Sequence, residues 1–283
     1  MIERNRDSRN PLRIGLIGFG AIGQTVAEAI ARSRAGNTRL CAVLCVDPAK
    51  HAALRSRIFG TEAIRFTADP SEFFAADHQL VIEAAGQDAL RDHAARILQS
   101  GRSLLVTSIG AFTDDAFFAG LSALADNTGG RLLLASGALP AVDWMASAAL
   151  SGACVASITQ AKPVASWRGT PAESLTSLDQ LREPTCFFEG TAREAARRFP
   201  KSSNITAMLA LVTAGLDATQ VRLVADPTTD EMHTRIEFSS AAGNLTIDWQ
   251  GVPSQLNPKT SADVPLNVIK ALRNLSGAVA FGP

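Results

Sequence analysis

Through the first half of the chain, short unbroken apolar runs alternate with segments whose apolar side chains recur at helical spacing. Residues 12–17 are such a run and lead straight into Gly-Phe-Gly, after which residues 22–33 carry the helical period. Residues 40–47 are continuous and apolar, the pattern of a strand covered on both faces. Residues 64–67 and 80–85 predict further strands, and 88–99 predict a helix ended by Ser100-Gly101. Another strand is expected at 103–107. The next helix begins near Thr113, where Thr-Asp-Asp suits a cap and first turn, and Asn127-Thr128-Gly129-Gly130 closes it before a sixth strand at 131–135. Repeated βα units on this scale predict an α/β fold with a doubly wound parallel sheet.

Beyond about Leu139 the rhythm changes. Residues 155–163 predict a strand, 167–184 a loop with a short helix, 191–198 a helix stopped before Pro200, and 204–213 a helix ended by Gly215. Strands are expected at 221–225, 234–239 and 245–249, the last two joined by a hairpin-like connection, residues 240–244. This half therefore predicts a second, α+β domain with an antiparallel sheet. Residues 265–275 are amphipathic and helical, suited to packing back on the first domain. The expected division is 1–138 with 263–283 for one domain and 139–262 for the other.

Composition narrows the class. The 283 residues are 46% hydrophobic and 19% charged, enough for packed cores and unlike a disordered chain. Lys plus Arg equals Asp plus Glu at 27 each, so the basic excess of a nucleic-acid binder is missing, although a local basic pocket for a small anion is permitted. Cys41, Cys45, Cys154 and Cys186 are too sparse for a disulfide scaffold and lack CxxC spacing, so reduced, mostly buried thiols and no metal site are expected. The polar N-terminus has no signal-like apolar stretch. Residues 145–158, small and apolar, are interrupted by Ser147, Ser151, Gly152 and Ser157 and fall short of a membrane span. A soluble cytoplasmic protein with no membrane or nucleic-acid partner is the expectation.

The chemistry starts at Gly18-Phe19-Gly20-Ala21-Ile22-Gly23. This GxGxxG lies between a predicted strand and a predicted helix, the context that makes it a dinucleotide fingerprint of the Rossmann type. Gly18 permits the tight turn, Gly20 lets the backbone approach a pyrophosphate, and Gly23 permits close helix–strand packing. The free N–H groups of the helix start, including those of Ala21 and Ile22, favour the anion. Asp47, at the end of the second strand, suits the adenosine ribose hydroxyls and favours NAD over NADP; it equally suits a turn starter, and Arg39 or Lys50 is a candidate partner for a 2′-phosphate. Later strand ends, with Ala85, Gly86, Ser108 and Ala138, are rich in small residues that let a flat nicotinamide approach or that simply ease packing.

A dehydrogenase also moves a proton as the hydride leaves. Of the four histidines, His51, His78 and His93 read as surface or packing residues, whereas His233 ends a polar loop, residues 225–233, entering a strand of the second domain. Two polar loops, 199–204 with Lys201 and 257–261 with Lys259 and Thr260, suit either donors to a carboxylate or to the nicotinamide amide, or ordinary capping and turn chemistry; Asn204 is placed to cap the following helix.

The combination resembles the L-aspartate dehydrogenase family from Ile14 to about Leu275. The likeness is carried by Gly-Leu-Ile-Gly-Phe-Gly-Ala-Ile-Gly (15–23), Val-Ile-Glu-Ala-Ala-Gly (81–86), Ser-Gly-Ala (136–138), Phe-Pro-Lys-Ser-Ser-Asn (199–204), Ala-Asp-Pro (225–227) with His233, and Asn-Pro-Lys-Thr-Ser (257–261). The resemblance implies NAD(P)-dependent oxidation of L-aspartate to iminoaspartate, which hydrolyses to oxaloacetate and ammonia or feeds NAD biosynthesis, in a homodimer. It implies a catalytic role for His233 and cofactor contacts for Ala138 and Asn204. Two departures stand out. Ser202-Ser203 replaces the Asn-Val common in the family's loop, and Glu231 stands where an Asn commonly lies two residues before the histidine. The alternatives are a homoserine or semialdehyde dehydrogenase, the latter needing a nucleophilic cysteine at a strand end where neither Cys154 nor Cys186 lies, and a non-catalytic NAD sensor.

Overall fold

The computed structural model describes residues 10–257 and 260–282. The chain divides into two compact units, one of residues 1–108, 119–135 and 265–283, the other of 109–118 and 136–264. The first unit holds β1 (Leu12–Ile17), α1 (Ala21–Ala31), β2 (Thr38–Leu44), α2 (Ala52–Phe59), β3 (Arg65–Thr67), α3 (Pro70–Ala75), β4 (Leu80–Glu83), α4 (Gln87–Gln99), β5 (Ser103–Val106), most of α5 (Asp115–Thr128) and β6 (Leu132–Leu134). Its strands pair in parallel in the order β3-β2-β1-β4-β5-β6. That order is the doubly wound one, and it reverses direction between β1 and β4.

The sequence explains the layering. All four residues of β4 are buried, as are the last four of β1, because helices cover both faces of the sheet. Ile14, Leu16, Val43, Ile82 and Leu105 form its core together with Val26 of α1. The remaining wall comes from the far end of the chain, where Val268 and Leu272, one helical turn apart, are fully buried in the same cluster.

The second unit continues with α6 (Val142–Ala149), β7 (Val155–Pro163), α7 (Val164–Trp167), α8 (Ala172–Leu175), β8 (Thr185–Thr191), α9 (Ala192–Arg198), α10 (Asn204–Val212), β9 (Gln220–Asp226), β10 (Met232–Ser240) and β11 (Gly243–Gly251). The helix carrying Val268 and Leu272 is α11 (Val264–Ser276). The second sheet has the order β11-β10-β7-β9-β8 and is mixed rather than purely antiparallel, because β7 and β9 run parallel. The long helical crossover between these two strands permits that arrangement. One face is covered by helices and carries Ile158, Leu223, Ile236 and Phe238; along β10 the intervening His233, Arg235 and Glu237 are exposed.

Several elements differ from expectation. Strand β8 covers residues 185–190, for which the sequence predicts no element, and Thr191, the predicted start of a helix. Thr191 instead closes the strand and caps α9, its hydroxyl accepting from Glu194 N while the Glu194 carboxylate accepts from Thr191 N. Helices α2, α3 and α6 were not expected as elements. The connection between β10 and β11 is only Ala241-Ala242. No disulfide joins the cysteines, and only Cys45 is buried; Cys186 is exposed. No helix among the described residues is long and apolar enough to cross a membrane.

Candidate active site

In the first unit the glycines of the fingerprint have separable duties. Gly18 has φ +95°, and a Cβ there would stand 2.5 Å from the Ala84 carbonyl oxygen, so the loops after β1 and β4 touch at the reversal of strand order. A Cβ on Gly23 would stand 2.2 Å from the Gly18 carbonyl oxygen, so this glycine seats the first turn of α1 on the fingerprint loop itself. Gly20 differs: an added Cβ would meet nothing within 4 Å. The fold does not require a glycine there, whereas a ligand approaching the backbone does. Gly20 caps α1 without any side-chain bond to the helix, so the N–H groups of the first turn, those of Ala21 and Ile22 among them, point to an anion. These features fit a pyrophosphate.

The loops after β4 and β5 are tied by Glu83, which is only 1% exposed. Its Oε1 accepts from Ala85 N and Gly86 N, both at 2.8 Å, and from Ser108 Oγ at 2.9 Å, while Oε2 accepts from Ser108 N at 3.1 Å. A carboxylate is an acceptor at both oxygens and satisfies all four donors. The hydroxyl of Ser108 is therefore turned inward, and this residue shapes the loop from behind. Gly86, at φ +128° with open space where a Cβ would lie, presents bare backbone at the start of α4.

Asp47 is exposed beyond the carboxyl end of β2, and its Oδ1 accepts from Lys50 N at 3.1 Å. The turn role and the ribose role are compatible, since the second carboxylate oxygen is not used by that bond. Lys50 shares this end of the sheet. Arg39 does not: it is the second residue of β2, about 17 Å from the strand's carboxyl end at about 3.3 Å per residue, and is thereby removed as a partner for a 2′-phosphate. It lines a cavity of about 710 Å³ with Arg13, Cys41, Glu62 and Asp77. That cavity lies at the amino ends of β1 and β2, and the last turns of α1 and α2, with partial negative charge, border it. Ligands of open α/β sheets bind at the other end.

In the second unit Asn204 is the first residue of α10, not its cap. Ser203 occupies the cap position without a side-chain bond to the helix, and Asn204 Oδ1 instead accepts from Gly110 N at 2.9 Å. This strap joins α10 to the turn Ile109–Thr113 and leaves the two Nδ2 donors for other partners. Lys201 lies in the short turn Pro200–Ser202, its side chain outside the described residues. Ala138 follows Gly137, which has φ +61°, in the turn before α6. The same turn ends on Ala141 at φ +54°, a left-handed conformation that costs a non-glycine residue about 1–2 kcal/mol.

His233 is the second residue of β10 rather than part of the loop before it, and pairs with Ala161 of β7 and Gln250 of β11. Its side chain is 45% exposed, with Nε2 3.5 Å from Asp248 Oδ1, and Arg235 Nη1 donates to the other oxygen of Asp248 at 3.0 Å. Asp248 thus stands ready as counter-ion when the ring is protonated. Thr260 closes a local turn, its N–H on the Asn257 carbonyl at 2.9 Å and its Oγ1 accepting from Asn257 Nδ2 at 3.1 Å. Lys259 lies outside the described residues.

One polar residue of this region belongs to no motif in the sequence. Lys162, near the end of β7, is partly buried on the helix-covered face. Its Nζ donates to Ser202 Oγ at 3.0 Å and lies 5.0 Å from the centre of the Trp167 ring. Trp167 is fully buried, its Nε1 donating to the Val224 carbonyl at 3.0 Å. Burial pushes the Lys162 amine down to about 8. The signal in the sequence is parity: Gln160 and Lys162 share the face of Ala156 and Ile158, where an apolar residue is expected.

Comparison with known proteins covers both units. Residues 18–135 match a family model described as the NAD-binding domain of homoserine dehydrogenase, and residues 143–275 one described as the C-terminal part of aspartate dehydrogenase. The L-aspartate dehydrogenase of Ralstonia pickettii is 38% identical over 275 residues, spanning 95% of this chain and 100% of that protein. That of Pseudomonas aeruginosa is 35% identical over 272 residues with the same coverage. The crystal structure of aspartate dehydrogenase from Thermotoga maritima superimposes with a TM-score of 0.72 at 23% identity, covering 95% of this chain and 99% of that one. A hyperthermophilic archaeal homoserine dehydrogenase in complex with NADPH shares the fold with a TM-score of 0.57 at 14% identity, covering 92% and 97%.

Proposed function

The chain belongs to the L-aspartate dehydrogenase family, and from that premise we propose that it oxidises L-aspartate with NAD(P) to iminoaspartate, which water converts to oxaloacetate and ammonia. The observation that carries this reading is identity of 38% to a curated family member across that protein's whole length. The backbone left bare at Gly20 supports the cofactor half of it independently.

Each residue then has a task. Gly18, Gly20, Ala21, Ile22 and Gly23 hold the pyrophosphate at the start of α1, and Asp47 takes the ribose hydroxyls, favouring NAD. Glu83 holds Ala85, Gly86 and Ser108 in the shape that faces the nicotinamide ribose. Ala138 and the free amide donors of Asn204 hold the nicotinamide, which when bound accepts the hydride from the substrate's Cα. The substrate amine must be neutral for that hydride to leave. His233, directly or through water, takes its proton, with Asp248 as counter-ion, releases it to solvent, and as the neutral base then activates the water that attacks the imine carbon. Lys201, Lys259 and Thr260 are candidates for the substrate carboxylates.

The homodimer, the cytoplasmic location and the delivery of iminoaspartate to NAD biosynthesis are parts of the same proposal and rest on the family likeness. The division into 1–138 with 263–283 and 139–262 belongs to it as well and rests on the change of pattern along the chain; the two compact units agree with it in outline but group residues 109–118 with the second.

The test is NADH formation at 340 nm with L-aspartate against a panel of other amino acids, run with both cofactors. L-aspartate is expected to be the preferred substrate. His233→Ala is expected to lower kcat by about 10²–10⁴-fold with NAD affinity unchanged. Wild-type turnover in that variant would remove the acid–base role. Intact NAD binding without turnover of any amino acid would make the protein a sensor.

A further inference from the structure

The Lys162 ammonium has three donors, and Ser202 Oγ takes one of them. The face of Trp167 gives a second, weaker partner. Among the described residues no carboxylate pairs with this lysine, although lysines withdrawn from water are almost always matched by a negative charge. An isolated lysine on the apolar side of a sheet is an unusual choice for packing, since methionine fills the same volume without the charge.

Its position is specific. Gln160, two residues earlier on the same face, is 3% exposed and donates through Nε2 to Thr206 Oγ1 of α10 at 2.8 Å. Gln160 and Lys162 therefore lie side by side along the start of α10 and the turn before it. Ser202, which fixes the ammonium, is two residues from Asn204, whose carboxamide is strapped to Gly110. The cation and the amide thus flank one short segment, residues 202–204. His233 is on the opposite face of the same end of the sheet, since it pairs with Ala161 and neighbouring residues of a strand point to opposite sides.

We propose that Lys162 is a substrate-binding residue, its ammonium receiving one carboxylate of the dicarboxylate substrate while Ser202 positions it. This rests on the L-aspartate dehydrogenase reading and deepens it by naming the side chain that selects a dianion. A single fixed ammonium forms a charge-assisted bond to one carboxylate, so its loss falls chiefly on substrate affinity.

The rival is a purely structural tether between β7 and the turn Pro200–Ser202, and two variants separate them. Lys162→Met keeps the volume and removes the charge; the variant is expected to fold and to bind NADH as the parent does. Its KM for L-aspartate is expected to rise about 10–100-fold, with a smaller change in kcat and a partial return in Lys162→Arg. Ser202→Ala removes the same hydrogen bond but leaves the cation, and is expected to raise KM no more than about 5-fold. Equal effects in Lys162→Met and Ser202→Ala, or a KM within twofold of the parent in Lys162→Met, would overturn the proposal.

Calorimetric titration of the NADH complex with succinate, an unreactive dicarboxylate, makes the test independent of turnover. Binding by the parent and its loss in Lys162→Met support the role even if the parent failed to oxidise L-aspartate, a failure that would strike the activity reading alone. Equal succinate affinity in parent and variant would overturn the role even in an active enzyme.

Discussion

Gly20→Ala separates what the fold needs from what the cofactor needs. The residue has φ −80° and ψ −160°, which alanine adopts freely, and its Cβ would have no neighbour within 4 Å. Alanine restricts the unfolded chain, a gain of about 0.4–1 kcal/mol, and is a poorer helix cap than glycine by a similar amount. The two nearly cancel, so the melting temperature is expected to stay within about 3 °C of the parent. The cofactor is affected differently. A pyrophosphate oxygen about 2.9 Å from a backbone N–H has no room for a methyl group beside it, and one lost bond to a charged group is worth about 1.5–3 kcal/mol. That corresponds to a roughly 10–150-fold weaker Kd for NADH. Fluorescence titration with NADH and thermal unfolding of the same samples read both quantities. Gly23→Ala is the control: its Cβ would collide with the Gly18 carbonyl oxygen at 2.2 Å, and a loss of about 1–3 kcal/mol in stability is expected. An unchanged Kd in Gly20→Ala, or a melting temperature lowered by more than 5 °C, would refute the reasoning.

Other outcomes follow from single contacts. Glu83→Gln sets an amide donor against Ser108 N–H, and is expected to cost about 1–3 kcal/mol in urea unfolding and to raise the KM for NAD; unchanged stability would mean the four bonds do not hold the loops. Asp47→Ser is expected to lower the NAD-over-NADP ratio of kcat/KM by at least about 10-fold, and an unchanged ratio would leave Asp47 only its bond to Lys50 N. His78 is 3% exposed, and neither ring nitrogen has a partner among the described residues; burial first, then Arg102, lowers its pKa from 6.5 to about 4. Below pH 6.5 the unfolded chain takes up a proton that the folded protein refuses. Stability is therefore complete above pH 6.5 and falls by about 3 kcal/mol as pH drops to about 4. In His78→Leu that part of the acid sensitivity is expected to vanish from urea midpoints at pH 7.5 and 4.5, and an undiminished decline would show that other groups cause it.

What was legible in the sequence was mainly what nearest neighbours decide. The run Leu12–Ile17, the glycines after it and the helical period beyond are read from adjacent residues, and the structure places each where the pattern put it. Partners distant in sequence were not legible. Asn204 looked like a cap because it precedes an apolar helical run, but its oxygen binds Gly110, 94 residues away. Strand β8 was hidden because its pairing partner β9 lies beyond α9 and α10, while Thr191 also carries a helix-start signature. The sequence suggests a loop at His233 because the residues before it are polar, although Thr234 and Ile236 behind it already alternate with exposed positions. Glu83 and Lys162 both fall inside strands that the pattern predicts, 80–85 and 155–163, where adjacent residues do not tell a buried charge from a solvated one; the bonds that fix them, to Ser108 and Ser202, span 25 and 40 residues.

The packing of Val268 and Leu272 has a consequence for how the chain is made. The strands around the fingerprint are synthesised about 250 residues before Val268 and Leu272, which complete the wall of their core. An emerging chain must therefore keep the surface around Ile14 and Leu16 incomplete until α11 has left the ribosome. Local order in the amino-terminal strands can form early, whereas full closure of that unit waits on the slow search between distant segments. Chains cut short before α11 would be expected to fail as dinucleotide binders while retaining every residue of the GxGxxG loop.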